Sequence, residues 1–181
     1  MIGDVLSFIS DKLNEYLGSF YDLPETLVAL GVPGTEEPEE GMNRMLISLL
    51  NVEREGAAGF AARYSKDSSG RMGKKSPAWH INLYMVIAAV YEDKRYADGL
   101  RMLSMAVRFL QGESGFVLPG GQKFTLELVS LNIQELTNVW SILGGKYYPS
   151  VVCKVRMLTF DSTETKGVTS SVKKPDWKLG S

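Results

Sequence analysis

Histidine and cysteine, two side chains that often perform acid-base or nucleophilic chemistry, occur once each in the chain, as His80 and Cys153. Histidine is the side chain most often used as a general acid or base, and a cysteine beside a histidine can act as a nucleophile. The two residues lie on different predicted strands, however, and Cys153 lies among valines, which predicts a buried and unreactive thiol. We therefore predict that the chain is not an enzyme; a small enzyme that uses His80 is the alternative.

The residues that could hold a metal ion or a phosphate group do not form a recognisable motif. One histidine and one cysteine cannot supply the ligands of a zinc site or an iron–sulfur cluster within one chain. The glutamates of residues 35–41 lack the Asp, Asn and central Gly spacing of a calcium loop. Gly112, Gly115, Gly120 and Gly121 follow a predicted helix and precede a predicted strand, the reverse of the order in phosphate-binding loops. We therefore predict no metal and no cofactor.

Two segments of opposite charge stand out, although the whole chain is almost neutral. Residues 35–41 contain four glutamates, whereas residues 54–75 contain six basic and two acidic side chains, a local charge of +4. The net charge of −1, from 20 basic and 21 acidic residues, gives no overall field that would attract nucleic acid. The basic segment has only Phe60 and Tyr64 between its charges, too few aromatic side chains for binding single-stranded nucleic acid. We predict two exposed loops and no nucleic-acid partner.

The length and composition of the chain indicate one domain with an appendage. At roughly 150 residues per domain, 181 residues are too few for two full domains. Hydrophobic residues make up 44% and charged residues 23%, which is typical of a globular protein with a core. The longest apolar run, Leu83 to Tyr91, is far shorter than the roughly 20 residues of a membrane span. No basic leader precedes an apolar stretch at the start, so we expect cytoplasmic synthesis without export by that route.

Three segments have the apolar spacing of amphipathic helices: residues 2–18, 96–110 and 133–143. Phe8 lies off the apolar face of the first helix and is interpreted as the edge of the core stripe, with an exposed assembly contact as the alternative. Asp93 is the expected N-cap of the second helix. Asn132 and Glu135 form a capping-box pattern at the start of the third, and Gly144-Gly145 closes it.

Five segments are predicted to be strands: residues 26–32, 45–53, 79–91, 124–128 and 151–160. The segment 79–91 has a long apolar face and is expected at the centre of the sheet, and 45–53 is expected to be buried on much of both faces. Residues 56–77 are polar and glycine-rich and predict a loop, and the residues after 161 predict a polar tail. The order of elements predicts an α+β fold, with a mixed sheet of about five strands flanked by three helices.

The segments that carry this core also carry a family resemblance. In chain order they read MIGDVLSFISDKLNEYL, LISLLNVERE, HINLYMVIAAVY, YADGLRMLSMAVRFLQ and LNIQELTNVWSILGGKYYPSVVCKVRMLTFD. Together they resemble the cap or tail-terminator family of extracellular contractile injection systems, which are phage-tail-like particles. The resemblance covers about residues 1–161 and is most specific in residues 131–160. It implies a tail-terminator-like α+β domain at 1–161, with residues 162–181 as a C-terminal extension.

The resemblance implies a structural protein without chemistry of its own. Such a protein forms a homohexameric ring at the distal end of the inner tube, contacts the last layer of the contractile sheath protein and ends polymerisation. A phage tail-completion protein at the head–tail junction is the alternative. The implied location is a particle that is assembled in the cytoplasm and is either released from the cell or anchored within it.

A ring of this kind needs loops and tails that reach neighbouring subunits. We expect residues 162–181 to dock on a neighbouring subunit, with Trp177 as the apolar anchor and Lys173 and Lys174 as rim charges, because buried aromatic side chains dominate interfaces. The alternative is that this tail packs on its own subunit. The basic loop offers charge that complements the acidic loop of an adjacent copy. The candidate assembly residues are therefore Arg71, Lys74, Lys75, Lys173, Lys174 and Trp177.

Overall fold

The computed structural model describes residues 2–21, 26–34, 43–55, 63–66, 72–75, 79–113, 115–160 and 165–169. The α-helices in these ranges are α1 (Ile2–Gly18), α2 (Tyr96–Gly112, after a 3₁₀ turn at Asp93–Arg95) and α3 (Ile133–Ile142). The strands are β1 (Val28–Leu30), β2 (Arg44–Arg54), β3 (Arg63–Lys66), β4 (Met72–Lys75), β5 (Trp79–Val90), β6 (Gly115–Val117), β7 (Lys123–Val129), β8 (Ser150–Phe160) and β9 (Thr165–Thr169). The chain divides into two compact units, unit 1 (Met1–Arg54 and Ile81–Leu158) and unit 2 (Glu55–His80 and Thr159–Ser181).

Unit 1 is built on a mixed sheet with the strand order β1-β2-β5-β8-β7-β6. β1 runs parallel to β2, whereas the β2–β5, β7–β8 and β6–β7 pairs are antiparallel. The predicted fold class, an α+β protein with a mixed sheet and three helices, is confirmed, but the sheet of the described residues has six strands instead of five. The additional strand is β6. Its three residues are too few to show an alternation that could be recognised from the sequence.

One face of the sheet is buried against α1 and α2. Side chains of a strand alternate between its two faces, and on this face Leu83, Met85 and Ile87 of β5 are fully buried. The apolar side of α1 is also fully buried, at a spacing of four residues: Val5, Ile9, Leu13 and Leu17. These observations confirm that residues 79–91 form a central strand. The prediction that β2 is buried on much of both faces is confirmed only for its first half, since residues 51–54 are exposed.

An aromatic cluster joins both helices to the β6–β7 end of the sheet. The ring centroid of Phe8 lies 6.2 Å from that of Phe116 and 6.1 Å from that of Phe124, in edge-on geometry. Phe116 stacks on Phe124 at 5.2 Å and lies 6.0 Å from Phe109 of α2. Such aromatic pairs contribute about 0.5–1.5 kcal/mol beyond the burial of their area. The Phe8 ring is half-buried on β6 and β7, as expected for the edge of the core stripe, and the alternative of an assembly contact stays a prediction.

The opposite face of the sheet is covered over part of its area by α3. The buried cluster on this face contains residues from β2, β5, β8, α3 and the segment after α3: Leu46, Val86, Ala88, Val90, Val152, Trp140, Leu143 and Tyr148. The β5 members are the even-numbered residues, which alternate with those buried against α1 and α2. The second half of β5 is therefore enclosed from both sides.

The ends of α3 are where the sequence predicts them. The Asn132 side chain accepts a hydrogen bond from the Glu135 N–H at 2.9 Å, and the Glu135 carboxylate accepts one from the Asn132 N–H at 2.8 Å. At the other end, Gly144 and Gly145 have φ values of 103° and 84°, a conformation that favours glycine. The Gly145 N–H donates to the Trp140 carbonyl at 2.8 Å, which satisfies a carbonyl in the last turn.

The start of α2 differs from the prediction. Asp93 opens the 3₁₀ turn instead of capping α2, and the N-cap is Arg95, whose side chain makes no capping hydrogen bond. A side chain at Gly99 would place its Cβ 3.0 Å from the Tyr91 ring, so α2 packs closely on the segment after β5. None of the helices in the described ranges combines the length and the apolar character that crossing a membrane requires.

Unit 2 contains an antiparallel sheet with the order β3-β4-β9. The prediction that residues 56–77 form a loop is therefore wrong for 63–66 and 72–75, and β9 lies within the segment predicted as a polar tail. These strands of four or five residues are rich in lysine, arginine and glycine and lack apolar alternation. Their pairing depends on partners distant in sequence, and a local pattern does not report such partners.

Side chains from α1 occupy the outer edge of β1. Asn14 Nδ2 donates to the Val28 carbonyl at 2.7 Å, and Asn14 Oδ1 accepts from the Val28 N–H at 2.9 Å. Ser10 Oγ also donates to the Val28 carbonyl, at 3.3 Å. The Asn14 amide thus takes the place of a neighbouring strand, so that β1 is not open at Val28 to pairing with another chain.

Cys153 lies in β8, fully buried in the sheet. Burial raises the pKa of its thiol to about 12, because the thiolate would lose its hydration. The thiol is therefore protonated at neutral pH. The prediction of a small, buried side chain is confirmed, and its low reactivity stays a prediction.

We predict that Asn14→Ala lowers the free energy of unfolding by about 1–3 kcal/mol, because it leaves the half-buried N–H and carbonyl of Val28 without their main partner. The measurement is chemical denaturation followed by circular dichroism. Asn138→Ala is the matched control, since Asn138 is an exposed helical asparagine whose side chain accepts from Gln134 on the same helix. Equal denaturation midpoints for the two variants would contradict the role of Asn14.

We predict that Cys153 in the folded protein does not react with an aromatic disulfide reagent at pH 8 and reacts fully after unfolding, because only the thiolate attacks. The folded-state pKa lies above the unfolded value of about 9, so the folded state holds the proton more tightly. The stability due to this group is complete below about pH 9 and is lost as the pH rises towards 12. Release of the chromophore at the same rate from folded and unfolded protein would show that this account is wrong.

Candidate assembly surfaces

Most of the residues predicted to form an assembly interface lie outside the described part of the chain. Lys74 and Lys75 lie on β4, where their backbones pair with β3 and, at Lys75, with β9. Outside the described residues lie Arg71, Lys173, Lys174 and Trp177, together with the acidic segment 35–41. Within 162–181, β9 pairs with β4 of the same chain. The assignment of the other residues of this segment to a neighbouring subunit, and of the candidate residues to an interface, stays a prediction.

His80, the residue on which the enzyme alternative depends, is the second residue of β5 and is half-exposed. Its carbonyl accepts a hydrogen bond from the Glu55 N–H at 2.8 Å. Within the described ranges, no three His, Cys, Asp or Glu side chains come together in a way that could hold a metal ion. The Cys153 thiol is buried and protonated, so it does not supply a nucleophile.

A row of polar and charged side chains lies on the part of the sheet beyond α3. Glu53 Oε2 accepts from Tyr84 Oη at 3.0 Å and lies 3.4 Å from Lys154 Nζ. The pKa of Lys154 is raised, first by the interaction of its ammonium group with the Tyr84 hydroxyl and also by the Glu53 carboxylate, so Lys154 stays charged. Arg156 and Glu127 form a second ion pair at 3.3 Å. These contacts link β2, β5, β8 and β7 across this part of the sheet.

An apolar groove beside α3, here called the α3 groove, has a volume of about 320 Å³ and is lined by Ile133, Leu136, Trp140 and Tyr147. Ile133 is 83% exposed and Tyr147 is 57% exposed. The Trp140 side chain is buried, and its ring centroid lies 5.6 Å from that of Tyr147. The Trp140 Nε1 has no acceptor among the residues that the structure describes. Exposed apolar side chains that line a groove are typical of a surface that another chain covers.

A longer groove lies between α1 and β6 and is here called the α1–β6 groove. It consists of two cavities, of about 460 and about 520 Å³, that share Phe8 as a wall. One side is formed by α1, from Asp4 to Ser19. The other side is formed by β6 and the turn at residues 118–122. Aromatic side chains, Phe8, Tyr16, Phe109 and Phe116, lie among the residues of its floor, and the α1 side carries several carboxylates.

The sequence did not predict either groove. Ile133 belongs to the predicted apolar stripe of the third helix, so burial was expected, but it lies at the flank of α3 beside the groove. The α1–β6 groove requires β6, which has no recognisable pattern. One signal was present in the sequence: Asp4, Asp11 and Glu15 recur at a spacing that puts three carboxylates on one side of α1.

Comparisons with solved structures find several chains that share this fold, among them a terminator and a cap. The sheath/tube terminator of an extracellular contractile injection system (PVC), in its extended state, is 14% identical, with a TM-score of 0.68 over 100% of this chain and 64% of that chain. The tube-terminating cap of the anti-feeding prophage (AFP) is also 14% identical, with a TM-score of 0.60 over 94% of this chain and 60% of that chain. The chain thus spans less than two thirds of the length of either, and identity this low establishes the fold alone.

A search of curated proteins finds no match. A protein-family model, the Pvc16 N-terminal domain, matches residues 4–174. This match covers the segments on which the resemblance to tail terminators was based, and the terminator and the cap share the fold, so the predicted relationship is confirmed. The chain belongs to the Pvc16 N-terminal domain family.

Proposed function

We propose that this chain is a structural cap that ends the tail of a contractile injection system. In this proposal, six copies form a ring at the distal end of the inner tube, contact the last layer of the sheath and stop the polymerisation of both. The chain is then part of a phage-tail-like particle, its partners are its own copies, the tube protein and the sheath protein, and it catalyses no reaction.

The observation that carries this proposal is the extent of the structural likeness. The solved sheath/tube terminator matches the whole chain, so the likeness includes both units and is not limited to a common sheet motif. The match to the Pvc16 N-terminal domain family over residues 4–174 supports the same assignment independently of the coordinates.

The surfaces of unit 1 suit a protein that assembles in a ring. A closed ring of head-to-tail copies needs two different surfaces on each copy, and a cap needs a further surface for the tube. The α3 groove and the α1–β6 groove are two such separate surfaces. At the β1 end of the sheet, Asn14 occupies the strand edge, which opposes open-ended pairing from strand to strand.

The direct test is electron microscopy of particles from a strain that lacks the gene for this chain. We expect tubes and sheaths of irregular length without a terminal ring, because polymerisation then has no stop, and we expect a plasmid-borne copy to restore uniform length. The control is the same strain with an empty plasmid. Sheathed particles of regular length and with a normal terminal ring in the deletion strain would overturn the proposal.

Two serine substitutions on α3 test whether the α3 groove is part of the ring interface. Ile133 lines the groove, whereas Ile142 is 77% exposed on the other flank of the helix and does not line it. Both substitutions should change the free energy of unfolding by about 0.5 kcal/mol or less, as at most exposed positions. We expect Ile133→Ser to shift the mass distribution in mass photometry towards monomers and Ile142→Ser to leave it unchanged. The same distribution for both variants would exclude the α3 groove from the interface.

A further inference from the structure

We propose that the α1–β6 groove binds residues 170–181 of a second copy of this chain. This inference rests on the proposed function, in which copies of the chain stand side by side in a ring. It assigns the receiving surface for the segment that the sequence predicts to reach a neighbour. The argument combines the length of the groove, its apolar floor, its strand edge and its charge.

The groove has the dimensions of an extended peptide. The α1 residues that line it extend from Asp4 to Ser19, which at 1.5 Å per residue is roughly 22 Å. A strand that rises about 3.3 Å per residue fills this length with about seven residues. The segment 170–181 is long enough to do so.

The floor of the groove offers sites for apolar side chains. Phe8 separates the two cavities, and Tyr16, Phe109 and Phe116 line the one of about 460 Å³. Trp177 is the one aromatic residue in the segment 170–181, and it is followed at the second position by Leu179. Residues two apart in an extended chain point to the same side, so both side chains can face the floor together.

The wall of the groove includes the edge of a sheet. β6 is the last strand in the order of the described sheet. In an antiparallel pair, residues that hydrogen-bond to the partner strand alternate with residues whose N–H and carbonyl groups face away from it. The Leu118 N–H donates to the Gln122 carbonyl, so Phe116, two residues earlier, also bonds to the partner strand, β7. The backbone groups of Gly115 and Val117 therefore face the outer edge. Gly115 and Val117 line the groove. An added strand can therefore pair with β6 through its backbone.

The charges of the groove and of the segment are complementary. Four carboxylates lie along the groove, Asp4, Asp11, Glu15 and Glu113, together with one ammonium group, Lys12, which gives a net charge of −3. Lys12 is held by Glu15 at 2.7 Å, and this hydrogen bond raises the pKa of Lys12, so it stays charged. Residues 170–181 contain three lysines and one aspartate, a net charge of +2. Opposite potentials of this kind favour one partner and one orientation.

Disulfide trapping between two populations of the full-length chain tests the proposal. One population carries Ser7→Cys, in the groove, and the other carries Lys178→Cys. The matched control replaces the first with Ser141→Cys, an exposed helical serine that lines the α3 groove instead. Cys153 is kept in all chains, because it is buried and protonated.

We expect the Ser7→Cys and Lys178→Cys mixture to give a disulfide-linked dimer on a non-reducing gel, at several times the yield of the Ser141→Cys mixture. Equal yields, or no dimer, would overturn the proposal. A chain that carries both Ser7→Cys and Lys178→Cys should also form dimers and larger products. If it forms only an internal disulfide, the segment binds its own chain and the proposal is wrong.

A charge swap tests the electrostatic part of the argument. We expect Asp11→Lys to lower the yield of trapped dimer about two- to fivefold, the range for one exposed ion pair, and Lys174→Glu in the partner population to restore it. An unchanged yield with Asp11→Lys would argue against the proposal. If Asp11→Lys lowered the dimer yield only by destabilising the fold, Lys174→Glu in the partner population would not restore that yield.

The trapping and the microscopy of the deletion strain separate this inference from the proposed function. If the disulfide-linked dimer forms but deletion of the gene leaves particle length unchanged, the groove assignment is supported and the capping function is overturned. Loss of length control without any trapped dimer overturns the groove assignment and leaves the capping function in place.

Discussion

The structure depends on the burial of β5 from both sides. Leu83, Met85 and Ile87 are enclosed by α1 and α2, and the alternate residues Val86 and Ala88 are enclosed by α3. A strand that is apolar on both faces must have a layer on each face, because any face left open would expose a large apolar area to water. This requirement places the helices on opposite sides of one sheet and so determines the architecture of unit 1.

The helices cover the two faces of the sheet unequally, and the less covered face leaves apolar side chains exposed. α3 has ten residues, so it covers only part of its face of the sheet. Beyond α3, the same face of the sheet carries polar side chains, including the ion pairs of Lys154 with Glu53 and of Arg156 with Glu127. Because α3 is short and lies at the surface, its flanks carry exposed apolar side chains, of which Ile133 and Ile142 are the most exposed among the described residues. These side chains are surplus to the core and available to a neighbouring chain.

The two ends of the sheet are treated in opposite ways. At the β1 end, Asn14 of α1 closes the strand edge with a pair of hydrogen bonds. At the β6 end, the same helix leaves a groove, whose floor is the aromatic cluster and whose rim is acidic. A protein that must contact some neighbours and stop the addition of others benefits from one closed and one receptive edge.

The sequence by itself determined the elements whose pattern is local. The spacing of apolar residues in α1 and α2, the capping box at Asn132 and Glu135, the glycines that end α3 and the alternation of β5 each depend on neighbours a few residues away, and each was predictable for that reason. Only the tertiary structure decided where β3, β4, β6 and β9 form, since short strands obtain their order from distant partners. It also decided the grooves, because a groove consists of two elements brought together, and no segment of the chain carries that information alone.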